Sequence, residues 1–196
     1  MELVHTNIYG PFNVQAHKGY EYFITFTDNY SRCGYVYLMH RKSDALNKLK
    51  EFKDESENQL SKHLKALRSD WGSEYMSNEF DSFLKEHEII SQLTIPRTSQ
   101  KNGVVERGNR TPLDMVKSMM SFSTLHTSFW GYALETTGYF LNVVPSKWIP
   151  LTPMEMSIRC KPGLHHIHIW GCPTHVLKPK VAKLEPRSKV CQFIRY

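Results

Sequence analysis

The sequence predicts an α/β domain in which a five-stranded mixed sheet is flanked by helices, followed by an irregular basic C-terminal segment. Three β-rich stretches with short connections open the chain. Apolar residues then recur at helical spacing, and six prolines interrupt the segment after Pro145, which shows no clear periodicity. A chain of 196 residues is long enough for one well-buried domain and a tail, and too short for two ordinary domains.

The first three strands are predicted to form an antiparallel meander. Residues 2–8 form a short strand, residues 20–27 are aromatic and β-rich, and residues 34–40 form the third strand. Residues 28–31 (DNYS) form the second connection, because Asn and Asp tolerate turn geometry and hydrogen-bond locally.

Helices alternate with short strands after the meander. Ser43 can cap the first helix, which precedes a strand at residues 63–68. Ser77 or Asn78 can cap the second, which precedes a strand at residues 88–93. Two connections through helices imply that these strands add in parallel.

Two more helices complete the predicted domain. A polar loop at residues 95–103 precedes a helix from about Val104 to Met120, and Thr127 can cap the last helix. The resulting order, β-β-β-α-β-α-β-α-α, is that of the ribonuclease H-like fold.

Positive charge is concentrated in the last quarter of the chain. Residues 1–144, assigned to the core domain, contain 16 Lys/Arg and 17 Asp/Glu. Residues 145–196, assigned to a basic post-core segment, contain nine and two. Such a segment can meet a polyanion, and a solvated basic tail is an equally good interpretation of the charge alone.

Composition gives no indication of a membrane or secreted protein. No run of about 18 apolar residues exists, so no membrane span is predicted. The N-terminus has no basic region before an apolar core, so no signal peptide or other targeting signal is predicted. The four cysteines are scattered, which favours a reducing compartment, cytosol or nucleus.

Two acidic residues stand in distinctive sequence contexts. Asp70 follows a predicted strand within residues 68–75 (RSDWGSEY), and Glu106 begins a predicted helix within residues 102–107 (NGVVER). Functional sites in α/β folds gather at the carboxyl ends of strands. The spacing alone discriminates nothing, because the chain has 19 acidic residues, so the flanking residues carry the interpretation.

These two blocks closely resemble the second and third catalytic blocks of copia-type (Ty1/copia, Pseudoviridae) LTR-retrotransposon integrases, which are parts of Pol polyproteins. The resemblance covers almost the whole chain. Further similar segments are residues 3–6 (LVHT), 27–32 (TDNYSR), 128–133 (SFWGYA), 170–173 (WGCP) and 184–188 (LEPRS).

The resemblance implies a DDE polynucleotidyl transferase that integrates DNA by strand transfer with two Mg²⁺ (or Mn²⁺) ions. It implies that Asp70 and Glu106 bind the metal. The implied partner is DNA, the implied active form is a homo-oligomer, and no membrane is involved. The implied location is the nucleus, or a cytoplasmic particle before import.

The first catalytic position departs from the family pattern. Family members continue His-Thr with Asp, whereas this chain has Asn7. Asn offers a neutral oxygen and cannot offset the charge of two divalent ions. If the lost anion costs about 4 kcal/mol, the rate falls about a thousandfold. The resemblance therefore implies a weakly active or inactive enzyme that binds metal weakly, if at all.

Other departures accompany Asn7. Gly108 and Pro112 lie in the helix that carries Glu106, where family members commonly have a basic and an apolar residue. Proline in a helix costs about 3 kcal/mol or kinks it, and glycine costs about 1 kcal/mol. Trp71 replaces a small or polar residue beside Asp70. These changes favour a decayed copy, or a domain kept for something other than catalysis.

Basic and polar residues near the site and in the post-core segment are predicted to contact DNA. They are Lys101, Asn102, Arg107, Arg110, Lys178, Lys180 and Lys183. Basic side chains neutralise phosphates without reading sequence, and a solubilising surface is the alternative. The C-terminal Cys and His residues match no standard zinc spacing.

Two other functions are weighed against the integrase. One is a non-catalytic nucleic-acid-binding or interaction module on the same scaffold, left by a degenerate transposon. The other is a cellular ribonuclease H-type nuclease, which the transposon-like flanking motifs disfavour. Asn7 favours the non-catalytic role and leaves the ancestry unchanged.

Overall fold

A five-stranded mixed sheet forms the centre of the molecule. The computed structural model describes residues 1–70, 72–94, 99–145, 150–180 and 185–195, with the backbone alone for residues 99–110. The strands of the sheet are β1 (Val4–Tyr9), β2 (Tyr22–Asp28), β3 (Gly34–Met39), β4 (Ala66–Ser69) and β5 (Ile90–Leu93).

The strands lie in the order β3-β2-β1-β4-β5. Strand β2 is antiparallel to both β1 and β3, whereas β4 is parallel to β1 and to β5. The predicted meander and the predicted parallel additions are therefore confirmed. One edge of the sheet consequently holds the carboxyl ends of four strands, at Tyr9, Met39, Ser69 and Leu93. We call it the carboxyl edge.

Helices cover both faces of the sheet. Successive strand residues point to opposite faces, so the strands contribute to two apolar clusters, one under the helices of each face. On one face, helices α1 (Ala45–Leu60) and α2 (Asn78–Glu86) contribute Phe52 and Phe80 to a core that includes Phe26. The rings of Phe26 and Phe52 stack with centroids 4.5 Å apart.

The opposite face is covered by helices α3 (Ser99–Phe122) and α4 (Trp130–Val143). Val116 of α3 and Leu134 of α4 pack into a second core with Phe23 of β2. The sheet is thus buried on both sides, which explains why β2 is apolar on both faces in the sequence.

Helix α3 begins five residues earlier than the sequence predicts, at Ser99. The segment expected to be a polar loop therefore contains the first turn of the helix. A polar turn carries no hydrophobic periodicity, so the sequence pattern detects the helix only from Val104 onward. The helix continues through Pro112, whose side chain is buried.

Helix α4, in contrast to α3, begins later than the sequence predicts. Thr127 opens a 3-10 turn, Thr127–Phe129, and the His126 side chain accepts a hydrogen bond from the Ser128 backbone N–H. The regular α-helix then starts at Trp130. The predicted cap Ser77 of helix α2 is confirmed, because its hydroxyl accepts from the Phe80 N–H at 3.3 Å.

The post-core segment is more regular than the sequence predicts. It contains helix α5 (Pro153–Ile158) and an antiparallel pair, β6 (Pro173–Leu177) and β7 (Ser188–Gln192). Each element has only five or six residues, too few to show a periodicity. Thr152 and Glu155 cap α5 reciprocally. Across the described ranges, no helix is long and apolar enough to cross a membrane.

Trp170 anchors the post-core segment to the second core. Its side chain is only 5% exposed and packs in the cluster that contains Ala133 and Leu134 of α4. The indole Nε1–H donates to the carbonyl of Ile194 at 2.9 Å. One buried aromatic residue therefore joins the middle of the segment, and Ile194 near its C-terminal end, to helix α4.

Replacing Trp170 by Ala should lower the free energy of unfolding by about 3–5 kcal/mol, because it removes a large buried side chain and leaves a cavity. Its neighbour Ile169 is 81% exposed. The matched Ile169→Ala variant should change stability by less than about 0.5 kcal/mol. Urea denaturation followed by circular dichroism measures both, and equal losses would contradict the anchoring role.

Candidate active site at the carboxyl edge

Asn7 and Asp70 both lie towards the carboxyl edge, on or directly after neighbouring strands. Strands β1 and β4 are parallel neighbours, with His5 paired to Arg68. Asn7 follows His5 by two residues within β1, and Asp70 follows Arg68 by two residues, directly after β4. The parallel pairing therefore directs the first and second predicted site positions to the same edge of the sheet, although they are far apart in sequence.

Asn7 lies on the sheet face that helices α3 and α4 cover. Side chains alternate along a strand, so Asn7 shares its face with Tyr9. Tyr9 stacks on Phe23 of the second core at 4.8 Å. Helix α3, whose backbone contains position 106, covers this same face. The side chain of Glu106 lies outside the described residues.

The amide of Asn7 is oriented by its neighbour two residues along the strand. Its Nδ2 donates a hydrogen bond to the Tyr9 hydroxyl at 2.9 Å. An amide whose NH₂ group is used in this way presents its Oδ1 as the remaining polar atom. Asn7 can therefore offer one neutral oxygen at the position where a carboxylate would offer two charged ones.

Asp70 directly follows strand β4 and is exposed. Its Oδ1 accepts a hydrogen bond from the Gly72 N–H at 3.0 Å. This local bond folds the chain into a tight turn and fixes the carboxylate beside the end of the strand. Trp71, the next residue in sequence, lies outside the described residues.

A buried hydroxyl pair supports the site from the other face of the sheet. Thr6 of β1 and Tyr75 lie 3.1 Å apart, Oγ1 to hydroxyl. Burial raises the pKa of Tyr75, and the nearby negative charges of Asp70 and Glu74 raise it further. Tyr75 is consequently neutral at every physiological pH, and it ties the turn after β4 to strand β1.

Glu74 is a carboxylate beside Asp70 that the sequence interpretation did not single out. It lies in a 3-10 turn, Ser73–Met76, and its side chain is only 13% exposed. Its Oε1 is 3.5 Å from the Nζ of Lys42, which follows strand β3 at the same edge. The only signal in the sequence was its place within the RSDWGSEY block.

The donors described at this edge fit a hard divalent cation. Asn7, Asp70 and Glu74 all present oxygen atoms, which Mg²⁺ and Mn²⁺ prefer. Within the described ranges, no group of three or more His, Cys, Asp or Glu residues is arranged to hold a metal. The roles of Asp70 and Glu106 as metal ligands remain predictions.

The residues predicted to contact DNA fall into two groups. Lys178 and Lys180 are exposed beside the β6–β7 hairpin, which forms a sheet separate from the one that carries Asp70. The Lys178 N–H donates to the Arg187 carbonyl and extends this hairpin. The others lie outside the described residues or have side chains that do: Lys101, Asn102, Arg107, Arg110 and Lys183.

Residues 1–99 match the integrase core domain family. The chain belongs to this family. It is thereby a member of the DDE polynucleotidyl transferases, and the resemblance seen in its motifs is confirmed.

Curated relatives of the chain are Pol polyproteins of plant and yeast Ty1/copia-type retrotransposons. The polyprotein of transposon TNT 1-94 from Nicotiana tabacum is 36% identical over 100% of this chain and 15% of its own length. That of transposon RE2 from Arabidopsis thaliana is 28% identical over 90% and 12%. The Ty1-DR4 Gag-Pol polyprotein from Saccharomyces cerevisiae is 30% identical over 74% and 9%. The chain therefore spans a small part of these relatives.

Solved structures of retroviral integrases share the fold. The HTLV-2 integrase catalytic core in complex with magnesium (trimeric form) superposes with a TM-score of 0.59 at 17% identity, over 80% of this chain and 95% of that one. The simian T-cell lymphotropic virus intasome with the PP2A subunit B56 gamma gives 0.63 at 18%, over 95% and 66%. The predicted ribonuclease H-like fold is confirmed.

His5 makes folding sensitive to acid. Its Nε2 lies 3.0 Å from Asn29 Oδ1, and its buried Nδ1 has no hydrogen-bond partner among the described residues. Burial lowers the pKa of His5, and the charges of Arg68 and Arg32 lower it further. The His5 side chain therefore binds a proton more readily in the unfolded chain than in the folded one.

The stability due to His5 is fully present above pH about 6.5, the value for an unperturbed histidine, and is lost as the pH falls below it. His5→Gln should show a smaller loss of stability between pH 7 and pH 5 than the unmodified chain. Thermal unfolding across that range measures the difference, and identical pH profiles would show that His5 contributes nothing.

Proposed function

We propose that the chain is the catalytic core of a copia-type integrase whose strand-transfer activity is impaired because Asn7 replaces the first catalytic Asp. The observation that supports this proposal is the parallel pairing of β1 and β4, His5 with Arg68, which directs Asn7 and Asp70 to the same edge of the sheet. Two positions that follow paired neighbouring residues, one of them without charge, are what a family site with a missing anion requires.

In this proposal Asp70 and Glu106 hold the divalent cations. Bound Mg²⁺ or Mn²⁺ would supply the charge that polarises a phosphodiester and stabilises the leaving oxygen. Asp70 is exposed and fixed by the Gly72 N–H, so it is accessible to a cation. Helix α3 covers the face of the sheet on which Asn7 lies. A ligand at position 106 of this helix would therefore approach the metal site from that face.

Asn7 weakens this site through charge and not through shape. Asn and Asp have nearly the same size, and the Tyr9 hydroxyl can accept from the amide or donate to a carboxylate. The edge of the sheet therefore accommodates either residue. What changes is the negative charge, on which two divalent cations depend.

Helix α3 carries a second defect in this proposal. Pro112 has no N–H to donate to the carbonyl of Gly108, four residues earlier. The helix is continuous here, so the missing hydrogen bond lies inside it and not at its end. Position 106 lies within two turns of Pro112, so a distortion there affects the placement of Glu106.

Asn7→Asp should raise strand transfer, yet by less than the about thousandfold expected from the charge alone, because Glu106 remains on a weakened helix. Asn7→Asp combined with Pro112→Leu should exceed the product of the two single effects, since a third charge is useful only when all ligands are in position. The measurement is the joining of labelled oligonucleotide ends into plasmid DNA with Mn²⁺.

Asn58→Asp is the matched control, because it adds the same charge at an exposed position of helix α1. It should leave joining unchanged. Full activity from Asn7→Asp alone would refute the damage to helix α3, and strong activity in the unmodified chain would refute the impairment itself.

A non-catalytic nucleic-acid-binding module is the second candidate, and the β6–β7 hairpin favours it. Lys178, Lys180, Arg187 and Lys189 are all exposed on or beside the hairpin, and Glu185 is the one acid in the sequence of residues 173–192. Basic side chains of this kind neutralise phosphates whatever the sequence. We propose duplex DNA as the partner of this surface in either case.

Replacing three hairpin cations by Gln should weaken duplex binding and flatten its salt dependence. The slope of log K against log salt is negative, and each lost phosphate contact reduces its magnitude by about 0.9. Fluorescence anisotropy at several salt concentrations measures this slope. The residues replaced are Lys178, Lys180 and Arg187.

The matched control replaces three exposed lysines that lie outside the hairpin. They are Lys62, which follows helix α1, Lys85 of helix α2 and Lys117 of helix α3. Both triple variants lose the same charge, so a general effect of net charge would change both slopes equally. That equality would remove the hairpin from the DNA-binding surface.

We also propose that the active form is a homo-oligomer that works in the nucleus after import from a cytoplasmic particle. The trimeric form of the HTLV-2 integrase core supports the first part. We further propose that residues 1–144 act as the core and residues 145–196 as a post-core segment docked through Trp170.

A further inference from the structure

Two carboxylates converge on a single point at the carboxyl edge. A Cβ atom placed on Gly72 would lie 2.7 Å from Glu74 Oε2 and 3.1 Å from Asp70 Oδ1. Both oxygens therefore border the same small space beside the backbone of Gly72. Sequence reasoning assigned Asp70 to the site and gave Glu74 no role.

The backbone after strand β4 produces this arrangement. The Gly72 N–H holds Asp70 Oδ1, and the 3-10 turn that starts at Ser73 brings Glu74 back over Gly72. The backbone angles of Gly72, φ −58° and ψ 139°, are accessible to any residue. A Cβ at this position would require the Glu74 carboxylate to move, which the end of a flexible side chain can do.

Two carboxylates that border the same space repel each other less when a cation lies nearby. Lys42 supplies part of that charge from outside, since its Nζ is 3.5 Å from Glu74 Oε1. Among the described residues, none donates a hydrogen bond to Glu74 Oε2, the oxygen on the Asp70 side. The lysine is 47% exposed, so it can move away from the glutamate at little cost.

We infer that Glu74 is a ligand of the divalent cation that Asp70 binds, and that Lys42 competes with this cation for Glu74. The inference rests on the proposed function, because it requires Asp70 to be a metal ligand. Glu74 then supplies a negative charge at an edge where Asn7 supplies none. The carboxylate oxygens of Asp70 and Glu74 are ligands of the kind that Mg²⁺ and Mn²⁺ prefer.

Lys42 gives the inference a consequence that a structural role for Glu74 does not share. Removing a cation that competes for Glu74 strengthens binding only while Glu74 is present, whereas the loss of a positive charge near Asp70 by itself strengthens it equally with Gln at position 74. The effect of Lys42→Met with Glu or with Gln at position 74 therefore separates the two explanations.

The test is a titration of the full 196-residue chain with Mn²⁺, in which electron paramagnetic resonance counts the free ion. Glu74→Gln should weaken Mn²⁺ binding by about tenfold, within the range typical of residues that support a metal site. Lys42→Met should tighten it by about two- to fivefold, the range for an exposed ion pair. Glu79→Gln removes the same charge from an exposed position on helix α2 and should change affinity by less than about twofold.

Asp70→Asn separates this inference from the proposed function. If Asp70→Asn abolishes binding while Glu74→Gln and Lys42→Met leave it unchanged, the role of Glu74 is overturned and the proposed site stands. If Asp70→Asn also leaves binding unchanged, the proposed site itself fails. Should Glu74→Gln fail to fold, Lys42→Met still tests the inference, because misfolding does not tighten metal binding and an unchanged affinity overturns the inference.

Discussion

The parallel pairing of β1 and β4 is the constraint on which the rest of the structure depends. Parallel neighbours need a long crossover, and the chain provides it through the β2–β3 meander and helix α1, which also buries one face of the sheet. The pairing aligns the carboxyl ends of both strands. Asn7 on β1 and Asp70 directly after β4 are thereby directed to the same edge, where four strands end.

The electrostatics of that edge follow from its backbone. Asp70 and Glu74 are brought together by the turn at Gly72, while Lys42 arrives from the end of β3. The position on β1 is neutral, because the side chain of Asn7 is an amide, which donates to the Tyr9 hydroxyl. The negative charge described at this edge therefore lies on the β4 side, which is why we propose the turn after β4 as the place where a cation binds.

The element order was predictable because each long element has its own periodicity. Phe52 and Leu49 mark helix α1 as amphipathic, and Ser77 marks the start of α2. The first turn of α3 and the hairpin of the post-core segment were not predictable, since polar turns and five-residue strands carry too little pattern. Asp70 was found through its flanking motif. Glu74 was missed because its proximity to Asp70 arises from a turn whose geometry no periodicity encodes.

The fold and the chemistry of this chain respond to different residues. Stability comes from aromatic and aliphatic side chains such as Phe26 and Phe52, which are fully buried in an apolar core. The polar side chains at the carboxyl edge are a separate set of residues. A change from carboxylate to amide at position 7 keeps a hydrogen bond to Tyr9 and removes no apolar contact. Such a substitution costs the scaffold little, while it removes a charge on which a two-metal site depends. An integrase core can therefore lose its reaction and keep its structure, and the exposed basic hairpin that we propose as a DNA-binding surface depends on neither metal ligand.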